Sequence, residues 1–287
     1  MTSLVQRGMR HIAVVNMKGG VGKTTTAIHL AAGLAAGGAR VLLVDADPQG
    51  NVGHALGVRR EKTIRDLMLG NASADEVIVR AVRERLDIIP STPASFGLES
   101  QLAGAPQRET ILARRLKALT DAGRYDAVVV DSSPAMNLLT YNALLYVSEV
   151  IIPVGMDGMA IVGARQTLAG IHEIRDLWPD RRLDLLAVLP TSVNSTTNAT
   201  RAAFEALDAD PEMRDRLYRR GIRQCIDVTY ALTQRQTIWE YAPRSRAAED
   251  FDAFVQFVSG SEIGGERPEA RDGDLSATHT EKIQTDV

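Results

Sequence analysis

Between an apolar run, His11-Ile12-Ala13-Val14-Val15-Asn16, and an alanine- and leucine-rich stretch from about Thr24 to Ala36, the chain reads Lys18-Gly19-Gly20-Val21-Gly22-Lys23-Thr24-Thr25. A buried strand, a glycine-rich turn and a helix start, in that order, constrain this chain more than any other stretch. Glycines permit the dihedrals that aim successive backbone N–H groups at one point. A helix beginning there adds the positive end of its dipole. A lysine neutralises phosphate oxygens, and the hydroxyl after it can hold Mg²⁺. Gly22, Lys23 and Thr24 supply these parts. The general pattern has glycine at position 17. Here Met17 stands there, followed by a second lysine, Lys18, which is the deviant Walker A form. Gly37-Gly38 signals the end of the helix.

The rest of the chain repeats the strand–helix alternation. Arg40–Asp45, Leu86–Pro90, Tyr125–Asp131, Glu149–Val154 and Leu183–Leu189 read as strands. Glu109–Ala122, Ala160–Leu177, Thr200–Leu207 and Ser245–Val258 read as helices. Continuous apolar strands alternating with helices predict a doubly wound α/β fold, a mostly parallel sheet covered on both faces. With 287 residues, 45% of them hydrophobic, the chain is long enough for one large core. The expected division is a flexible start at 1–9, one domain over 10–260 and a disordered acidic tail over 261–287.

In such sheets ligands bind beyond the carboxyl ends of the strands. Asp45 and Asp47 lie at one such end and Asp131 at another. A carboxylate there can hold Mg²⁺ through water or orient an attacking water, whereas Asp131 alone could equally cap a helix. The single cysteine, Cys225, excludes an internal disulfide, fits a reducing cytoplasm and reads as a small buried hydrophobe. Trp178 and Trp239 read as packing residues. The net charge of −3 does not advertise a polyanion partner, so any such surface must come from local clustering.

The strings Lys18–Thr25, Asp45-Ala46-Asp47-Pro48-Gln49-Gly50-Asn51 and Asp131-Ser132-Ser133-Pro134 resemble the nucleotide motifs of ParA-type partition ATPases, within the ParA/MinD group. Leu138–Leu144, Ile152-Pro153-Val154 and Tyr241–Glu249 extend the resemblance over about residues 10–258. It implies ATP and Mg²⁺ as ligands, with Gly19, Gly20, Val21 and Gly22 in the loop and Thr25 on the α-phosphate. Lys23 would hold the β- and γ-phosphates and Thr24 would hold Mg²⁺. Asp131 would be the Walker B carboxylate, Asp45 a second carboxylate near the metal, and Asp47 would position water. Lys18 would reach the phosphates of a partner copy in an ATP-sandwich homodimer.

Members of the group bind DNA without sequence preference and are stimulated by a ParB-like or cargo-adaptor protein. A cytoplasmic, nucleoid-associated ATPase is therefore the expectation. Arg214, Arg216, Arg219, Arg220 and Arg223 are the candidate DNA contacts, and a solvated face paired with Glu205, Asp210, Glu212 and Asp215 is the alternative. Thr196 and Asp227 stand where relatives often carry DNA-contacting arginines. A membrane-associated, MinD-like reading needs a basic amphipathic tail, and Arg271–Val287 is polar and acidic. An iron-protein reading needs two cysteines in each chain.

Overall fold

Seven strands form one sheet in the computed structural model, which describes residues 9–157 and 159–260. They are β1 (Arg10–Val14), β2 (Val41–Ala46), β3 (Val79–Arg83), β4 (Leu86–Ile89), β5 (Ala127–Ser132), β6 (Glu149–Gly155) and β7 (Asp184–Thr191). Their order is β3-β4-β2-β5-β1-β6-β7. Every neighbouring pair is parallel except β3 with β4. The expectations for residues 1–8 and 261–287 lie outside the described residues.

The period-2 alternation of each strand sorts its apolar side chains onto two faces. Ala13, Leu42, Val44, Val128, Val130 and Ile152 pack on one side with the helices Ile64–Leu69, Ile111–Asp121, Leu138–Tyr146 and Ala160–Leu177. Ile12, Val14, Val41, Leu43, Val129 and Ile151 pack on the other with the helices Lys23–Ala36 and Arg246–Ser259. The strands are therefore apolar in both registers, and the expected two-sided covering is what the structure has. Trp178 packs against the first core and Trp239 against the second, as packing residues.

β3 is the strand that apolar runs did not reveal. Val79-Arg80-Ala81-Val82-Arg83 is half-exposed and carries two arginines, because an edge strand has only one neighbour to bury it. It turns back onto β4 through Arg85, whose φ is 59°.

The C-terminal helix starts at Ser245, whose side chain accepts the Ala248 N–H, and ends at Gly260. It lies against the helix Lys23–Ala36 at Gly33. A Cβ there would sit 2.5 Å from Val255 Cγ2 and 3.1 Å from Trp239 Cη2, so only glycine admits this approach. The same contact region holds His29, which is fully buried and stacks on Phe251 with ring centres 4.4 Å apart. His29 Nε2 accepts the Ile238 N–H at 3.0 Å, so Nδ1 carries the proton and donates to the Thr25 carbonyl at 2.7 Å.

That arrangement fits a neutral ring only. Burial pushes the His29 pKa from 6.5 down to about 4, against the opposing pull of the Thr25 carbonyl and the Glu240 charge. Because the folded value lies below the unfolded one, the neutral ring's contribution is complete above the unfolded pKa. It is lost as pH falls through the folded one, and amounts to about 3 kcal/mol. In urea melts the stability difference between the wild type and His29→Gln should shrink by about that amount from about pH 7 to about pH 4. A difference that stays constant over that range would contradict the assignment.

Candidate phosphate-binding site

The loop after β1 is braced from three sides before any ligand is considered. The Lys18 N–H donates to Asn16 Oδ1 at 2.8 Å, and Asn16 Nδ2 donates to the Pro153 carbonyl of β6 at 2.7 Å. The Met17 N–H donates to Thr167 Oγ1 at 3.0 Å, and Thr191 Oγ1, at the end of β7, donates to the Val21 carbonyl at 2.9 Å. Gly20 and Gly22 take φ of 75° and 84°, which L side chains rarely adopt. Among the described residues, the backbone N–H groups from Gly19 to Thr25 donate no hydrogen bond within the chain. The first amide to find a helical partner is that of Thr26, on the Gly22 carbonyl. A run of unpaired donors at a helix N-terminus is an anion cradle.

Lys23 crosses this cradle, with Nζ 3.0 Å from the Lys18 carbonyl, and it is 7% exposed. Burial lowers its pKa, while the charges of Asp131 and Asp47 oppose that shift. Thr24 Oγ1 donates to Asp131 Oδ2 at 2.7 Å. The other oxygen, Asp131 Oδ1, is buried without a hydrogen-bond partner. A native buried carboxylate oxygen left unpaired calls for a missing cation or water. Asp131 lies inside β5 and caps no helix; Asn137 caps the next one, accepting the Thr140 N–H.

β2 and β5 are adjacent, and their register places Asp45 opposite Asp131. Asp45 Oδ1 accepts the Asp47 N–H at 3.1 Å and Oδ2 accepts the Val52 N–H at 3.2 Å. Both oxygens therefore hold the turn that presents Asp47, whose own Oδ1 accepts the Gln49 N–H at 2.9 Å. Burial raises the pKa of all three carboxyls, Asp131 to about 7 and Asp45 well above its usual value, where the neighbouring Asp131 charge adds to the effect. Asp131 and Asp47 act on Lys23 while Asp45 crowds Asp131 from behind, and a divalent cation would relieve the site. Mg²⁺ fits the donor set of Thr24 Oγ1, the free Asp131 oxygen and phosphate oxygens.

Lys18 does not point into the cradle. Its Nζ lies 2.5 and 2.6 Å from the two oxygens of Asp157, just past the end of β6. Asp157, Asn16 and Thr191 escaped the sequence reading because their partners lie far along the chain or carry no motif. Gly163 belongs with them: a Cβ there would sit 2.6 Å from Lys18 Cβ and from Asn16 Oδ1. Beside the loop opens a cavity of about 520 Å³, lined by Gly20, Thr25, Thr191, Cys225 and Arg246 among others. Cys225 is half-buried rather than buried, because it lines this opening, with its thiol 3.4 Å from Asp227 Oδ2.

The arginine cluster is mostly ion-paired. Arg214 meets Asp215 at 3.4 Å and Arg219 meets Asp208 at 2.6 Å. Arg220 and Arg223 converge on Asp250, at 3.3 and 2.8 Å, and Asp250 is 1% exposed. The Arg216 guanidinium has no partner among the described residues. Thr196 turns its hydroxyl onto Asn194 Oδ1 at 2.7 Å.

A family model described as an AAA domain matches residues 9–184. The chain is 38% identical over 256 residues to the chromosome-partitioning ATPase Soj of Thermus thermophilus, covering 89% of this chain and 97% of that protein. It is 37% identical over 243 residues to the sporulation initiation inhibitor protein Soj of Bacillus subtilis, covering 83% and 93%. The chain belongs to the ParA/MinD family of P-loop ATPases. An ATP complex of a Cyanothece McdA variant superposes with a TM-score of 0.78 at 22% identity, covering 90% of this chain and 99% of that one, a likeness of fold. Among the described residues, no helix of this ParA/MinD-family chain is long and apolar enough to cross a membrane.

Proposed function

We propose that this chain hydrolyses ATP between two copies of itself, and that the ATP dimer binds DNA without sequence preference to position a cargo. The observation that carries the reading is the pairing at Asp131. One oxygen is fixed by Thr24, the other is buried and unpaired, and the unpaired amides of Gly19–Thr25 lie alongside.

The β- and γ-phosphates sit on those amides and on Lys23, which holds charge in place before the reaction begins. Thr25 meets the α-phosphate, and the 520 Å³ cavity beside Thr25 and Thr191 receives the nucleoside. Mg²⁺, held by Thr24 and Asp131, neutralises charge on the phosphate oxygens when bound. Asp45 fixes the turn and adds its carboxylate to the field around the metal. Asp47 orients a water in line with the γ-phosphorus. The water oxygen bonds to phosphorus, the bond to the β–γ bridging oxygen breaks, and ADP leaves with that electron pair.

Lys18 completes the site of the other copy. In the single chain it is held by Asp157, with side chains 27% and 59% exposed. An exposed pair of this kind contributes about 0–1 kcal/mol, so its release is no barrier to dimerisation.

The DNA part is tested by binding to a random-sequence duplex with ATP, with ADP and without nucleotide, across a salt series. Binding confined to ATP and weakening steeply with salt is the expected result. No binding in any state removes the DNA step and leaves the ATPase.

A further inference from the structure

The arginines singled out in the sequence are largely neutralised by carboxylates of their own chain, Arg220 and Arg223 by the buried Asp250 and Arg214 and Arg219 by exposed acids, so that stretch presents little net positive charge to a phosphate backbone. Uncommitted arginines lie elsewhere. A cavity of about 380 Å³ opens between the end of β4 and the helix Asn51–Leu56, lined by Gln49, His54, Arg59, Arg60, Ser91 and Arg235 among others. Its lining contains no carboxylate among the described residues. Among the described residues, neither the Arg59 nor the Arg235 guanidinium has a hydrogen bond or ion pair. The one bond of the Arg60 guanidinium goes to a backbone carbonyl, that of Glu76, at 2.7 Å.

Three guanidiniums around one opening repel one another, and among the described residues no carboxylate lines it. Four arginines elsewhere do have acidic partners: Arg10 with Glu149, Arg40 with Asp126, Arg83 with Glu240, Arg124 with Asp75. The cavity also has a rigid frame. The stem of Arg235 lies across Gly57, where a Cβ would come within 2.9 Å of its Cδ. The Arg235 carbonyl is held by Arg83 at 2.8 Å, and Arg83 is in turn paired with Glu240. Exposed guanidiniums on a braced frame match the oxygens of a phosphodiester chain.

The cavity adjoins the catalytic turn as well. Gln49, in its wall, gives its N–H to Asp47, and Gly50 packs so closely on β4's exit that a Cβ would lie 2.6 Å from the Ser91 carbonyl. One wall of the cavity is therefore continuous with the Asp47 turn.

We propose that Arg59, Arg60 and Arg235 are phosphate contacts for the DNA that the ATP form binds, and that these residues, not Arg214–Arg223, carry most of its salt-dependent affinity. This rests on the DNA reading above. The test is fluorescence anisotropy of a labelled random-sequence duplex with the full chain, ATP and Mg²⁺, over a salt series. The Arg59→Ala/Arg60→Ala/Arg235→Ala variant should lose at least about tenfold in affinity, and its log–log salt slope should fall by about 2 to 3. The corresponding triple lysine variant should keep most of that slope. Arg214→Ala/Arg216→Ala/Arg219→Ala should bind within about threefold of the wild type. The first variant removes no ion pair and one exposed hydrogen bond, that of Arg60 to the Glu76 carbonyl, so its urea midpoint should stay close to that of the wild type and its DNA-free ATP turnover should match it. Wild-type affinity and slope in the triple alanine variant would overturn the proposal while leaving DNA binding intact, as would a larger loss in the Arg214 set. A wild type that binds no duplex would overturn the DNA reading and this site with it.

Discussion

Lys23→Ala should lower ATP turnover by about a hundred- to a thousandfold, or about 3–4 kcal/mol of transition-state stabilisation, and should weaken ATP binding as well. The side chain is buried at the mouth of the amide cradle and bonded to the Lys18 carbonyl across it. Burial works against its charge, and the carboxylates of Asp131 and Asp47 sustain it. A cation fixed in that place before substrate arrives needs no rearrangement as charge builds on the γ-phosphate. Lys18→Ala should behave differently. Its amine faces Asp157, outside the cradle of its own chain, so that variant should bind ATP normally and lose turnover. Calorimetric ATP titration beside a phosphate-release assay separates the two. Turnover of Lys23→Ala within about twofold of the wild type would contradict the role given to Lys23.

Phe251→Ala should cost about 3–5 kcal/mol of stability, the range for deleting a buried aromatic ring. Phe251 is 1% exposed, stacks on His29 and meets the edge of Trp239 at 6.4 Å. It joins the C-terminal helix to the helix that follows the phosphate loop. A domain of this size should melt roughly 10 °C lower. Because His29 carries the contact on to the Thr25 carbonyl, ATP affinity should fall along with stability. A stability loss below about 1 kcal/mol would show that the core closes around the missing ring.

Much of this architecture was legible because its signals are contiguous. The Lys18–Thr25 string names its own strand, turn and helix. The run Ala160–Leu177 has the bounds expected of it, and the other apolar runs were placed within a few residues. Asp45 and Asp131 were legible as strand-end carboxylates, but not that both Asp45 oxygens serve the backbone or that one Asp131 oxygen is left bare. Those facts depend on the register of β2 on β5. Asp157 carries no motif, and its partner lies 139 positions away.

The arginines show the limit most plainly. Arg214–Arg223 looked like a basic patch because proximity in sequence hid Asp208 and Asp250, which neutralise it after folding. Of the acids foreseen as its partners, only Asp215 pairs with a residue of the cluster. Arg59 and Arg235 are 176 positions apart, and only the packing of the helix Asn51–Leu56 against the segment around Arg235 puts them in one cavity.

The most direct test of the account is ATP turnover per protomer as a function of protein concentration, at saturating ATP and Mg²⁺. If Lys18 acts on the phosphates of a second copy, turnover per protomer rises with concentration and levels off as the dimer fills. Lys18→Ala then stays low throughout. Turnover per protomer that is the same at every concentration, or that is unchanged in Lys18→Ala, would contradict hydrolysis between two copies.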